Sequence, residues 1–367
     1  MSSTGARDGN DAVKGAELRV REANEAHGID GRNIELRSLD MKQSAAEAVK
    51  SYTELAQEMG VCAVIGSSVL TAGVAVSPVA DMVKVPLLSL CIDDRVTTPD
   101  LKLDAPDAVG TPRRYVFMVP PSGSQVASSL AEFAAERFAL TRYATFADPT
   151  SPVSVIQARS FESAVKKAGK VVVLSAEIPQ SEADYGQAMT RMKEADVEAV
   201  FICGTATQNA ALARAARQIA FRPTLIGNQE WYFPLLDDAG YVVEGAYFGM
   251  ATAPDDRALA QIADRFQAAF GEQPRPAVLP GYLAVDLVLA AVRKARTVDP
   301  GKIRDVLEQA TGLTGNLSVF DMDRKTHRAV APPIAVMRIM GGRFVTLEAR
   351  FTPKSARGGS LLGNGSP

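Results

Sequence analysis

Short, wholly apolar runs alternate along this chain with longer stretches whose apolar residues recur every three or four positions. The clearest case lies between Val61 and Ser89. Val61–Ile65 (VCAVI) reads as a parallel strand buried on both faces. Gly66, Ser67 and Ser68 break it, and Val69, Ala72, Val76, Val79, Ala80 and Val83 follow at helical spacing. Pro86 resets the chain, and Val85–Leu88 reads as a second buried strand. Strand, helix and parallel strand make a right-handed crossover unit. Its turn places backbone N–H groups and serine hydroxyls at a helix N-terminus. Ser67 and Ser68 there either cap the helix or hold a polar or anionic ligand group.

The same alternation extends both ways. Asn10 or Asp11 is expected to cap a helix through Val13, Ala16, Val20 and Ala23, stopped by Gly28. Asn33–Leu39 alternates like a strand, and Ser44–Met59 is helical with Gly60 as its stop. The first hundred or so residues therefore predict a doubly wound α/β arrangement. Arg114–Met118 is another short strand, and the Pro/Gly/Ser break Val119–Ser124 is the best domain boundary. Beyond it the spacing predicts helices over Gln125–Phe138, Val155–Ala168, Asp184–Lys193 and Gln208–Ile219. Strands are predicted over Tyr143–Phe146, Val171–Leu174, Ala199–Cys203, Thr224–Gly227 and Val243–Met250. Helices Arg257–Phe270, Tyr282–Ala295 and Ile303–Gln309 come next. Strands Leu317–Phe320, Ile334–Met340 and Phe344–Leu347 close the pattern, the last two joined at Gly341-Gly342. From about Lys354 the chain is Ser/Gly-rich and is expected to be disordered. Two α/β halves with chain left over after the second imply several crossings between lobes and a hinged cleft.

Composition narrows the function classes. The 367 residues are 47% apolar and 22% charged, with a net charge of −2 and scattered Lys and Arg. That is a globular chain of two domains without a footprint for nucleic acid or a membrane surface. No apolar run approaches the ~18 residues of a membrane-spanning helix. The three cysteines, Cys62, Cys91 and Cys203, fit no metal-ligand spacing. Cys62 and Cys91 sit at opposite ends of neighbouring strands. At ~3.3 Å per residue they lie beyond the ~7 Å reach of a disulfide, so all three are read as free thiols, two in the core. The two histidines, His27 and His327, sit among polar residues and read as surface groups.

Catalytic patterns are missing. There is no G-x-S-x-G around Ser67 or Ser68, no G-x-G-x-x-G after a strand and no Walker A sequence. No cofactor or metal is expected. Asp237-Asp238 and Asp255-Asp256 read as solvated loops. Asp93-Asp94 differs, because it follows a buried strand at the carboxyl edge where doubly wound sheets bind ligands.

Taken together, these stretches resemble the leucine/isoleucine/valine-binding protein family, the type I periplasmic solute-binding fold of ABC transporters. The likeness runs from Met1 to about Leu347. It is carried by GAELRVREANEAHGIDGRNIEL (15–36), Asp40, AVIGSS with VPLLS, FICGTATQNAALARAARQ (201–218), TLIGNQEW, EGAYFGM, PGYLAVDLVLAAV and TGNLSVFD. The resemblance implies two Rossmann-like lobes joined by three crossings, a small-molecule ligand in the interlobe cleft, ABC permease subunits as partners and no catalysis. Lobe 1 would be residues 1–119 with 251–327. Lobe 2 would be 120–250 with 328–353, leaving 354–367 as a tail.

Carried over position by position, the family's ligand contacts fall on Ser68 in the turn and on Leu70, with Thr71 beside it. The others fall on Asp93, the Cys91 carbonyl, Thr205, Gln229 followed by Glu230, and Asp8. These depart from the amino-acid-binding pattern. A buried ammonium without a carboxylate is costly, and so is a ligand carboxylate facing Asp93. Either Asp93 or Glu230 takes the ammonium, or the ligand is an amide, a urea or a small aromatic or other organic acid.

The same alignment sets Met1 level with the loop after the family's first strand, which would lie between Asn33–Leu39 and Val61–Ile65. The expectation is a fragment missing that strand and a secretion signal. An N-terminally extended form no more stable to denaturant would end it. Two functions compete: a periplasmic transport receptor, and a cytoplasmic amide-type sensor of the same fold that signals to a protein partner.

Overall fold

The computed structural model describes residues 3–103, 110–179, 185–232 and 235–354, without the side chains of 3–7 and 238. The chain divides into two units. Unit 1 takes Met1–Leu101, Val109–Ser122 and Pro254–Val330; unit 2 takes Lys102–Ala108, Gly123–Ala253 and Ala331–Pro367.

Unit 1 begins with α1 (Ser3–Glu25) and α2 (Ala45–Thr53), the second prolonged by a π-helical turn at Glu54–Glu58. Then come β1 (Val64–Ile65), α3 (Leu70–Val83), β2 (Leu87–Ser89) and β3 (Val116–Met118). The three strands form a parallel sheet in the order β1-β2-β3. Along β2 and β3 the side chains alternate between two apolar layers. Leu87, Val116 and Met118 pack with α2 and α3, while Leu88 and Phe117 pack on the opposite face. Burial on both faces is why these strands read as unbroken apolar runs.

Unit 2 follows with α4 (Gly123–Arg137), β4 (Arg142–Ala147), α5 (Pro152–Lys167), β5 (Val171–Glu177) and α6 (Tyr185–Glu194). It continues with β6 (Ala199–Ile202), α7 (Ala206–Gln218), β7 (Thr224–Gly227), α8 (Leu235–Ala239) and β8 (Tyr247–Met250). The chain then returns to unit 1 as α9 (Arg257–Phe270), α10 (Val278–Ala295) and α11 (Pro300–Glu308). Two small antiparallel pairs come next: β9 (Leu313–Thr314) with β10 (Val319–Phe320), and β11 (Met322–Asp323) with β12 (Arg328–Ala329). Finally β13 (Ile334–Met340) and β14 (Arg343–Phe351) complete the unit 2 sheet, order β14-β13-β8-β7-β6-β4-β5. It is parallel from β8 to β5, and β13 runs antiparallel to both its neighbours. Strand β6 shows how it is buried: Val200 and Ile202 enter one apolar layer, Ala199 and Phe201 the other.

Helices α1 and α10 approach until only glycine fits. A Cβ on Gly15 would lie 2.0 Å from the Val278 carbonyl oxygen, and one on Gly281 1.9 Å from that of Ala12.

Several expectations need correction. Helix α1 starts well before Asn10 and Asp11, so neither caps it. Asp11 is instead buried and accepts from Arg275 Nε at 2.7 Å and Nη2 at 2.5 Å. Residues 33–40 carry no strand. Ile34 and Leu36 do turn inward, as their alternation predicts, and the Asn24 side chain pins the Ile34 backbone through bonds of 2.7 and 2.9 Å. A ladder also needs a neighbouring strand, and none lies beside this segment among the described residues. A cavity of about 1270 Å³ borders it, lined by Ile34, Leu36, Val64, Val76 and Leu289.

His327 is not at the surface. Its ring stacks on Phe117 at 4.6 Å between centroids, and its Nδ1 lies 3.1 Å from the Val116 carbonyl. The three thiols are free, with Cys91 and Cys203 buried. The expected disordered tail lies outside the described residues from 355 onward, as does Asp184.

Candidate functional site

In unit 1 the polar residues gather where β1 and β2 end. After β1, Ser67 Oγ accepts the Val69 N–H at 2.8 Å and closes the turn. Val69, at the helix N-cap position, offers no side-chain acceptor to the first amides of α3. Ser68 is half-buried, while Leu70 and Thr71 are exposed on the first turn of α3. Ser68 and the turn around it are among the residues lining the unit 1 cavity.

After β2, Ser89 Oγ accepts the Cys91 N–H at 3.1 Å. Cys91 packs against α3 opposite Gly73, where an added Cβ would meet its side chain at 2.6 Å. Burial pushes the Cys91 thiol up to about 12, so it stays protonated and unreactive at neutral pH.

Asp93 is 1% exposed and spoken for. Its Oδ1 accepts from the Arg95 amide at 3.0 Å and Nε at 3.1 Å, and its Oδ2 from Arg95 Nη2 at 2.6 Å. Bonding to this carboxylate raises the Arg95 pKa further. Asp94 points elsewhere: it accepts from Ser122 Oγ at 2.8 Å and from Arg328 Nη1 at 2.5 Å. Arg328 also bonds Thr97 and Thr98.

Asp8 lies on α1, near the Arg275 that Asp11 holds.

In unit 2 the polar residues again gather at the carboxyl edge. Thr205 N-caps α7 in a capping box: its Oγ1 accepts the Gln208 N–H at 3.3 Å, and Gln208 Oε1 accepts the Thr205 N–H at 2.9 Å. Gln208 Nε2 reaches Asp148 Oδ2 at 2.8 Å, and Asn228 Nδ2 reaches Gln157 Oε1 at 3.0 Å. Gln229 and Glu230 sit in a 3₁₀ turn after β7, which Asn228 caps by accepting the Glu230 N–H at 3.2 Å. Glu230 is exposed and Gln229 half-buried.

Over residues 1–343 the sequence matches a family model described as periplasmic binding protein. The chain belongs to the periplasmic binding protein family. Its curated relatives include Leu/Ile/Val-binding protein homolog 7 of Brucella abortus, 23% identical over 92% of this chain and 87% of the relative. A leucine-binding protein from Thermotoga maritima has a similar structure, with TM-score 0.74, 20% identity and 95% of each chain covered. So does a solute-binding protein from R. palustris in complex with benzoate, with TM-score 0.70, 18% identity and 96% and 94% covered. The fold is thus the α/β type I periplasmic binding fold.

Within this periplasmic binding protein, the structure brings Ser68, Leu70, Thr71, Cys91 and Asp93 to one sheet edge of unit 1. It brings Thr205, Gln229 and Glu230 to the corresponding edge of unit 2. Sequence reasoning missed Arg95, Asp148, Gln157, Gln208 and Asn228. Asp148 was the most accessible of these, since it follows directly on the apolar run Tyr143–Phe146 and Ala147. Arg95 stands two residues after Asp93, a spacing that lets an arginine fold back on a carboxylate. No cluster of His, Cys, Asp or Glu suited to a metal occurs among the described residues, and none of their helices is long and apolar enough to cross a membrane.

Proposed function

We propose that this chain is the solute-binding receptor of an ABC importer. It takes up a small polar solute in the periplasm and delivers it, chemically unchanged, to permease subunits in the membrane. The observation that carries the reading is family membership across residues 1–343, joined to polar clusters at the carboxyl edges of both units' sheets. Doubly wound sheets bind ligands at that edge. The solute class is a branched-chain or other amino acid, an amide, or a small aromatic or organic acid. The proposed binding residues are Ser68, Thr71, Thr205, Gln229 and Glu230, with the Cys91 carbonyl.

A thermal-shift screen of the purified chain tests this with amino acids, amides, urea and aromatic acids. A true ligand at ~100 times its dissociation constant adds about 2.7 kcal/mol of stability. It should be recovered unaltered after incubation. A chain stabilised by none of these solutes, or one that turns any of them over, is not the receptor proposed.

A further inference from the structure

The charge that unit 1 presents to a solute is the reverse of what its sequence suggests. Asp93 and Asp94 look like a pair of acids waiting for an ammonium. Both are 1% exposed, and each is already held by an arginine. The Arg95 fork covers the Asp93 carboxylate with three side-chain contacts of 3.1, 3.2 and 2.6 Å. For a solute ammonium to displace it, all of these contacts to a buried carboxylate must be given up. Asp94 is further enclosed by Ser122, Arg328 and the Arg328 contacts to Thr97 and Thr98.

What remains accessible is the arginine. The Arg95 side chain is 30% exposed against 1% for Asp93. Its Nε and Nη2 are turned to Asp93, and Nη1 makes no hydrogen bond among the described residues. Held rigid on one side by Asp93, the guanidinium keeps donors for an oxyanion, a geometry suited to carboxylate recognition. It sits on the turn Asp94–Val96, and Val96 packs against α3 at Gly73. The same neighbourhood therefore includes the first turn of α3.

We propose that Arg95 recognises the carboxylate of the solute, and that neither Asp93 nor Asp94 serves as an acceptor for an amine. The favoured solute is a small carboxylic acid without a protonated α-amine. This deepens the receptor reading above and rests on it.

The test uses matched solutes on the purified full chain, with affinities from calorimetry. Leucine is set against 4-methylpentanoate, its skeleton without the amine, and against 3-methylbutylamine, its skeleton without the carboxylate. Phenylalanine and 3-phenylpropanoate form a second pair. The acids are expected to bind at least tenfold tighter than the matching amino acids, and the amine not at all. Arg95→Met should weaken the acids at least tenfold. Because that change also strips Asp93 of its partner, Asp93→Asn with Arg95 intact is the second variant, and it should keep acid binding within about threefold. Amino acids binding as tightly as their acids, or Arg95→Met binding acids normally, overturns the inference and leaves the receptor reading standing. Failure of every solute, including amides and urea, removes the receptor reading itself.

Discussion

The two units solve one architectural problem in different ways. In unit 2 a seven-stranded sheet carries apolar layers on both faces, and β4, β6, β7 and β13 each send residues to both. In unit 1 the parallel sheet has three strands of two or three residues. Much of its cohesion lies outside that sheet, in the glycine-mediated contact of α1 with α10 and in buried ion pairs. Arg19 Nε donates to Asp286 Oδ1 at 2.8 Å, and Asp286 Oδ2 also accepts the Asn316 N–H at 2.6 Å. Unit 2 is held chiefly by shape and burial, unit 1 by a few polar clamps in addition. The lesson is that similar sequence rhythm can be stabilised by different physics.

The largest effects should come from attacking each unit where it is strongest. Phe201→Ala removes a fully buried ring that stacks on Phe161 at 4.2 Å. It should lower stability by about 3–5 kcal/mol, read as a lower urea midpoint of the fluorescence of Trp231, the chain's one tryptophan. Asp286→Ala leaves Arg19 buried without its carboxylate, and a loss of about 3–5 kcal/mol is expected from that. If it falls below 1 kcal/mol, the polar-clamp account of unit 1 is wrong.

Close approach gives the next tier. Gly281→Ala must push α10 away from the Ala12 carbonyl, and Gly227→Ala must displace the Trp231 indole, whose ring atoms would lie 2.1 Å from the new Cβ. Each should cost about 1–3 kcal/mol by overpacking. Only the second should change the Trp231 emission of the folded protein. A smaller loss, about 1 kcal/mol, is expected for Thr205→Ala, which removes the α7 N-cap acceptor; thermal denaturation would register it.

The smallest effect is a pH dependence in unit 1. Burial holds the His327 pKa below the ordinary histidine value, although contact with the Val116 carbonyl and the nearby Glu308 pulls the other way. The unfolded chain then binds more protons than the folded one between the two pKa values. Stability from this group is complete above about pH 6.5 and is lost as pH falls from there through the depressed folded value. His327→Gln should flatten the difference in urea midpoint between pH 7.5 and 5.5. An unchanged difference would place the dependence elsewhere.

How much of this was legible beforehand depended on the range of the interactions. Val61–Ile65 and Val85–Leu88 were placed correctly as neighbouring strands, though the ladders shorten to Val64–Ile65 and Leu87–Ser89. Strands Thr224–Gly227 and Ile334–Met340 and helix Arg257–Phe270 match their predicted limits. Asn33–Leu39 failed because side-chain alternation is local, whereas a strand is defined by a partner. His327 was misjudged for a related reason: its polar sequence neighbours say nothing of Phe117, which is 210 positions earlier in the chain. At the site, the candidate loops after β1, β2, β6 and β7 could be read from where the apolar runs stop. The charge they present could not.

The sequence alone determined most of the strands and helices that build the two sheets' layers, the fold family and the loops that gather at the sheet edges. Apolar periodicity and turn residues act over a few positions and survive without knowledge of the whole. Tertiary structure decided which charges cancel. Asp93 became inaccessible and Arg95 remained reachable, because burial and pairing depend on what the rest of the chain brings alongside.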